Sequence, residues 1–302
     1  MALPYRIIDA FTSTPFSGNA ASVVLFPPDG SRASDSSLML RIAREFALSE
    51  TAFLVPRPSS SSSPDVPVYG LRWFTPTVEF PLCGHATLAS AHCLFSEHHP
   101  EAQQLQFETS MSGTLYASKG EGGQIELDFP ADVSVVEEVD IDAEEDLRDK
   151  LVLVHAALAA NVVRIAKGKL AWIVELKSDF DLETADINTN PLHGYKEYFI
   201  FTQPRPSTDA VHDIYSRVFD PVENDPEDAV TGSAHCMLAP YYLSVASSRL
   251  PNPSSVMDTL TLRAKQGGLR RQGELTVRWD RANWRCKLRG SAVTVMEGKL
   301  YA

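Results

Sequence analysis

One short segment occurs twice in this chain, and that repetition constrains the fold more than any other feature. The first copy is residues 74–95, FTPTVEFPLCGHATLASAHCLF, centred on Cys83-Gly84-His85-Ala86-Thr87. A turn containing Pro81 and Gly84 opens directly into a helical run. The first backbone N–H groups of a helix have no partner within it and carry partial positive charge. Such an end suits a carboxylate or a developing oxyanion. A thiol and an imidazole beside it are candidates for proton chemistry. Taken alone, the segment reads first as a capped helix with a buried cysteine and a hydrogen-bonded histidine.

The second copy is Thr231-Gly232-Ser233-Ala234, followed by a helical run through Leu238 and Tyr241. An aromatic-x-proline step precedes each copy, Phe74-Thr75-Pro76 and Phe219-Asp220-Pro221. A strand and a glycine turn follow each, and Leu105 to Gly113 and Leu260 to Gly268 are both eight residues apart. Two related halves are therefore expected. Facing halves would aim two helix N-termini into one cleft, where pockets tend to form.

With 302 residues the prior is two domains, and 44% hydrophobic residues suffice for sizeable cores. A net charge of −12 argues against a nucleic-acid partner, whose usual footprint is a basic face. No apolar run approaches the roughly 20 residues that span a bilayer, and the start, MALPYRIIDAF, does not read as a signal peptide. Cys83, Cys93, Cys236 and Cys286 show no metal-ligand pairing, so reduced thiols and a cytoplasmic location are expected. His85 and His92 share a helix face with no third ligand near, so no metal is expected.

In chain order, residues 7–10 and 22–26 read as strands. Between them Asn19 follows Gly18, either as a turn residue or with its amide turned into a pocket. Ser34 or Asp35 caps a helix with Leu38, Ile42 and Phe46 on one face. Residues 48–55 enter a strand in which Glu50 interrupts an apolar stretch. Alternation by itself places Glu50 in solvent at a strand end; inside a pocket, partial desolvation would make it a usable acid or base. Residues 56–67, with five serines in a row, read as a surface loop. Residues 69–74 form a strand, and 105–107, 113–117 and 124–129 a meander with a hairpin turn at 120–123. The acidic run 137–150 reads as a solvated helix start continued by 147–158. Strands are expected at 162–166, 170–176 and 198–202, with a short helix within 179–195. Residues 215–221 and 223–227 read as a loop rich in acid and proline. Pro240 should kink or shorten the second helix. Strands resume after Leu260, and the last, 291–297 with Leu300, is expected to return to the first half's sheet.

Taken together, Glu50, Cys83-Gly84-His85 and the run EDAVTGSA at 227–234 resemble the PhzF family, and more closely the eukaryotic phenazine biosynthesis-like domain-containing proteins. Matching blocks are IDAFTSTPFSGNAASVVL, IAREFALSETAFLV, LRWFTPTVEFPLCGHATLASA, EDAVTGSAH, and QGG with LRGSAVTVMEGKL, in family order from about residue 7 to the C-terminus. The stretch 130–200 matches no motif. The resemblance implies an α/β (α+β) fold of two pseudo-symmetric diaminopimelate epimerase-like domains, each a curled sheet around a central helix. The expected bounds are 1–129, joined by the last strand at about 289–302, and 130–288. It further implies an active site in the inter-domain cleft, a homodimer and no cofactor.

By the same resemblance Glu50 is the acid/base carboxylate, and His85, Asp228 and Ser233 are the polar residues that assist it. Ser49, Gly84 and Gly232 hold the substrate carboxylate through backbone or hydroxyl. Asn19, Cys83 and Thr231 complete the expected substrate-binding set. Ala229 departs from the family pattern, where proline is common. Specificity is expected from loops after Asn19, near Trp73 and near Gln266. Related epimerases use two cysteine bases, but the internal counterpart of Cys83 is Thr231, whose hydroxyl is a very poor base. One carboxylate can instead lift a proton and return it on the same face, which is an isomerisation of a small carboxylate-bearing substrate. A two-base epimerase or racemase using Cys83 and a non-catalytic binding protein remain alternatives.

Overall fold

The structure, a computed structural model, describes the chain apart from residues 1, 29–31, 60–64, 132–136, 140–144, 207, 223–226, 246 and 252. It divides into two compact units, Met1–Phe129 with Lys287–Ala302, and Pro130–Cys286.

In the first unit β1 (Ala2–Ala10) runs antiparallel to β2 (Asn19–Leu25). β2 is parallel to β3 (Glu50–Arg57), a pairing that needs a crossover, here α1 (Ser36–Phe46). Asp35 caps α1 by accepting from the Leu38 N–H at 3.0 Å. Leu38, Met39, Ile42 and Ala43 face Val24, Phe26, Phe53 and Val55 in one apolar cluster. β4 (Val68–Phe74) pairs antiparallel with β3 and with the two-residue β5 (Glu79–Phe80), and parallel with β6 (Gln104–Glu108). β7 (Thr114–Lys119) and β8 (Ile125–Pro130) extend the meander. The C-terminal strand Ala292–Tyr301 lies antiparallel along all of β1.

Helix α2 (Gly84–Cys93) packs on β1, β2, β3 and the C-terminal strand, and all its residues but His92 are buried. A helix apolar or small on every side belongs inside a sheet rather than on its surface. Its two hydroxyls are satisfied locally. Thr87 Oγ1 donates to the Cys83 carbonyl at 2.5 Å and Ser90 Oγ to the Ala86 carbonyl at 2.7 Å.

The second unit repeats this topology strand for strand. Its elements are β9 (Glu137–Val139), α3 (Glu145–Val154), α4 (Leu158–Asn161), β10 (Val162–Lys167), β11 (Ala171–Leu176), β12 (Tyr198–Pro204), β13 (Ile214–Phe219) and β14 (Glu227–Asp228). There follow α5 (Gly232–Pro240), α6 (Pro253–Thr259), β15 (Thr261–Gln266) and β16 (Gly273–Asp280); β17 (Arg285–Gly290) crosses the boundary, and the C-terminal strand, β18, belongs to the first unit. β10 and β11 are antiparallel, β11 and β12 parallel, β12 and β13 antiparallel. β13 pairs antiparallel with β14 and parallel with β15, as β4 does with β5 and β6. β9 lies on β10 as β18 lies on β1. Leu147, Leu151 and Val154 of α3 join Ile165, Trp172, Phe199 and Phe201 in the second core.

The repeat extends to side chains. Arg72 grips Glu79 through two hydrogen bonds of 2.7 and 2.6 Å, and Arg217 grips Glu227 through two of 2.7 and 2.8 Å. Each guanidinium lies over the aromatic ring two residues on, 5.1 Å from Phe74 and 5.2 Å from Phe219. Each clip ties a two-residue strand to its neighbour just before a central helix begins.

Several sequence expectations are corrected. Residues 137–139 are strand, not helix start, because they pair with β10, and the helix expected through 158 stops at Val154. Residues 140–144 of that acidic run, 60–64 of the serine loop and 223–226 of the acidic loop lie outside the described residues. The expected loop 215–221 holds β13, whose six residues are all buried; its apolar run fills a central strand despite the proline beyond it. Within 179–195 only the 3₁₀ turn Asn190–Leu192 forms. α5 ends at Pro240, but α2 passes into the same kind of π-turn, Leu94–His98 matching Tyr241–Val245, with no proline. The ending therefore belongs to the repeat and not to Pro240 alone.

Candidate active site

In the first unit, three elements bring their ends together. Gly18 has φ +60°, and a Cβ there would lie 2.2 Å from the Ala10 carbonyl oxygen, so only glycine makes this turn. The turn delivers Asn19 as the first residue of β2, opposite Ala10. Glu50 is the first residue of β3, in register with Ala21. Cys83 is the N-cap of α2, extended at φ −133° and ψ 116°, and His85 lies in the first turn. The helix's own ladder starts with Thr87 N–H to the Cys83 carbonyl, so the N–H groups of Gly84, His85 and Ala86 stand ahead of it.

His85 is the hub. Asn19 Nδ2 lies 3.1 Å and Cys83 Sγ 3.5 Å from its Nδ1. On the other edge, Ser49 Oγ and Glu50 Oε2 are each 3.3 Å from Nε2. An amide N–H donating to Nδ1 makes that nitrogen the acceptor and leaves the ring proton on Nε2, directed at Glu50 and Ser49. The His85 side chain is 4% exposed and that of Glu50 14%. Alternation had placed Glu50 in solvent. That inference assumed one open sheet face, whereas Thr51 through Val55 of β3 are all buried, under α1 on one side and α2 on the other. Cys83, expected as a lining residue, stands with Glu50 and His85, their donor atoms lying within 4.8 Å of one another. Along its own helix His85 has only His92 at a shared face, and the neighbouring carboxylate arrives from β3 instead.

In the second unit Thr231 is the extended N-cap of α5, and Ser233 is exposed in the first turn. Thr231 Oγ1 donates to Asp228 Oδ2 at 2.6 Å. Gln266, at the end of β15, braces both residues. Its Oε1 accepts from the Thr231 N–H at 2.9 Å, and its Nε2 reaches the Asp228 carbonyl at 2.8 Å and Thr231 Oγ1 at 3.0 Å. His235 Nδ1 lies 2.8 Å from the Thr231 carbonyl, the place Thr87 Oγ1 takes in α2. Burial pushes His235 down to about 4 and keeps the imidazole neutral, so Nδ1 is the donor. Sequence reasoning missed this brace and expected specificity near Gln266 and Trp73. Both side chains are buried, Gln266 as a support and Trp73 in the core. Ala229, where the family pattern has proline, sits in a loop held by Gln266 on the residue before it. Asn19, Ser49, Glu50, Cys83, Gly84 and His85 thus form one group, and Asp228, Thr231, Gly232 and Ser233 another.

Comparison with known proteins matches residues 8–298 to the model of the family described as phenazine biosynthesis-like protein, PhzC-PhzF. The chain belongs to this family. It is 38% identical over 316 aligned positions to phenazine biosynthesis-like domain-containing protein 2 of Mus musculus, covering all of both chains. It is 37% identical to an uncharacterized isomerase of Halalkalibacterium halodurans, over 80% of this chain and 82% of that one. Among solved structures, a PhzF-family protein of Enterococcus faecalis superposes with a TM-score of 0.77 at 31% identity, covering all of both chains. The α/β fold of two repeated sheet-and-central-helix units is thus the PhzF fold. No helix among the described residues is long and apolar enough to cross a membrane.

Proposed function

We propose that this PhzF-family chain is a cofactor-independent isomerase that moves a proton on a small carboxylate-bearing substrate, with Glu50 as the general acid/base. The observation that carries the reading is the Glu50–His85 pair, 3.3 Å apart and largely shielded from water at the head of α2. In this mechanism a Glu50 carboxylate oxygen takes a proton from a substrate carbon. The electron pair of that C–H bond passes into the adjoining allylic or enolic system. N–H groups at the head of α2 hold the substrate carboxylate and stabilise the spreading negative charge. Glu50 then returns the proton to a second carbon on the same face. The Nε2–H of His85 keeps the carboxylate aimed through each step, Ser49 Oγ lies beside that nitrogen, and Asn19 fixes the tautomer that makes this possible. Asp228 and Ser233 are assigned to the same reaction, with Thr231 and Gln266 as their supports.

A two-base racemase would need a second base at Thr231. Its hydroxyl proton is already committed to Asp228, and an alcohol is a weak base near neutral pH. That favours the single-carboxylate reading over one in which Cys83 works with a partner.

A thermal-shift screen of small carboxylates identifies ligands, since binding to the folded state raises the melting temperature. Turnover is then followed in deuterium oxide. Wild-type protein should place solvent deuterium in the product, and Glu50→Gln should lower the rate by about 10²–10⁴-fold, the usual range for a general base. An unchanged rate in Glu50→Gln removes Glu50 from the chemistry. A homodimer and a cytoplasmic location belong to the same reading; sedimentation and fractionation test them.

A further inference from the structure

We propose that Glu50, Cys83 and His85 also form a binding site for a thiophilic divalent cation of the zinc class, which holds the acid/base carboxylate out of use. One carboxylate oxygen, one thiol sulfur and one imidazole nitrogen lie within 4.8 Å of one another. Bond lengths of about 2.0–2.3 Å from one ion to N, O and S donors require ligand atoms to sit roughly 3–4 Å apart. Glu50 Oε2 already has that spacing from His85 Nε2, 3.3 Å, while Cys83 Sγ lies 3.5 Å from the other ring nitrogen, Nδ1, so an ion at Nε2 draws the sulfur across from the Nδ1 edge. Three protein ligands with a position left for water or an anion is the common pattern of open zinc sites. The mixed donor set favours zinc or cobalt over magnesium or calcium, which take oxygen ligands.

The surroundings suit the ion. Asn19 is buried beside the ring edge opposite Glu50. An ion bound at Nε2 puts the imidazole proton on Nδ1, and a half-turn of the Asn19 amide then presents its oxygen to that proton. A histidine ligand with its second nitrogen held in this way is the usual supporting arrangement. Binding forms a metal–sulfur bond and releases the Cys83 thiol proton to solvent.

A second trio, Cys93, Glu97 and His98, offers the same atom types and serves as an internal control. There Arg6 occupies both Glu97 oxygens, at 2.9 and 2.6 Å, and burial pushes the Cys93 thiol up to about 12. Binding of the ion depends only on the donor geometry; its effect on the acid/base carboxylate rests on the isomerase reading.

Cobalt(II) titration of the full chain at neutral pH tests it, because a thiolate–cobalt bond gives a near-ultraviolet charge-transfer band and four-coordinate cobalt gives intense visible bands. Both bands should saturate at one cobalt per chain and disappear on adding one equivalent of zinc. Cys83→Ser should abolish the charge-transfer band, Glu50→Gln should weaken binding by about tenfold or more, and Cys93→Ser should leave the titration unchanged. Thermal unfolding without metal confirms that each variant is folded. A band that survives Cys83→Ser, or is lost in Cys93→Ser, overturns the proposal. So does the lack of any saturable band in wild-type protein. Activity lost with zinc and regained with a chelator would show inhibition; zinc binding without loss of activity would overturn the claim that the ion holds Glu50 out of use.

Discussion

Replacing Gln266 by methionine tests how the second helix N-terminus is held. The two side chains have similar volume, so the change leaves packing nearly intact and removes polar contacts. Lost are the acceptor for the Thr231 N–H at 2.9 Å and the donors to the Asp228 carbonyl and Thr231 Oγ1 at 2.8 and 3.0 Å. A buried polar group left without a partner costs about 1–3 kcal/mol, and three groups lose one here. Two discounts apply. Thr231 Oγ1 keeps its bond to Asp228, and Asp228 and Thr231 are only partly buried, so water can replace some of what is lost. The expected cost is therefore about 2–3 kcal/mol, a large share of a typical domain's 5–15 kcal/mol. Chemical denaturation followed by tryptophan fluorescence is the assay, because Trp172 and Trp279 lie in the second unit and Trp73 in the first. The transition of the second unit should move to lower denaturant with its slope unchanged. A shift equivalent to less than about 0.5 kcal/mol would refute the reasoning, since that is the scale of an ordinary surface substitution.

Three further outcomes are expected. The two arginine clips should differ in strength because the Arg217 side chain is 8% exposed and that of Arg72 21%. Arg217→Met should cost about 3–5 kcal/mol by stranding Glu227, and Arg72→Met about 1 kcal/mol, measured by denaturation; the reverse order would contradict the burial argument. His235 titrates at about 4 in the folded chain against 6.5 when unperturbed, so the unfolded state binds the extra proton first. Its contribution is complete above about pH 6.5 and declines as pH falls toward 4, by up to roughly 3 kcal/mol. His235→Gln should flatten the acid limb of a stability–pH curve by about one proton over that window. Asp228→Asn should lower turnover of a substrate found in the carboxylate screen while leaving the melting temperature within a few degrees; full activity in this variant would exclude Asp228 from the reaction.

Much of the fold was legible because its signals are local. Asp35 ahead of Leu38, Ile42 and Phe46 is a helix start with one apolar face, and α1 forms there. The repeated glycine at Gly84 and Gly232, with the aromatic-x-proline step before each, announced two equivalent units, and the strand pairings repeat accordingly. The misreadings lie where pairing partners are far away in sequence. Residues 137–139 carry an acidic, helix-like composition yet become strand because β10 offers them an edge. β13 was hidden among acidic and proline-rich neighbours, and only its place between β12 and β15 makes it a core strand. Gln266 gave no sign of its role, since a glutamine at a strand end has many ordinary uses.

The sequence by itself determined which backbone positions are permitted. A glycine must follow Ser17, an extended N-cap must precede Gly84 and Gly232, and a central helix of small residues must be enclosed by its sheet. It also determined the kinds of chemistry available, by placing one carboxylate, one imidazole and one thiol among apolar neighbours. Only the tertiary structure decided that these three meet. Glu50 and His85 are brought together by β2 and β3 lying parallel beneath α2, a contact that no periodicity along the chain encodes. The physical reason is that side-chain patterning specifies which face of an element is buried, whereas the distance between two buried polar atoms depends on how separate elements pack.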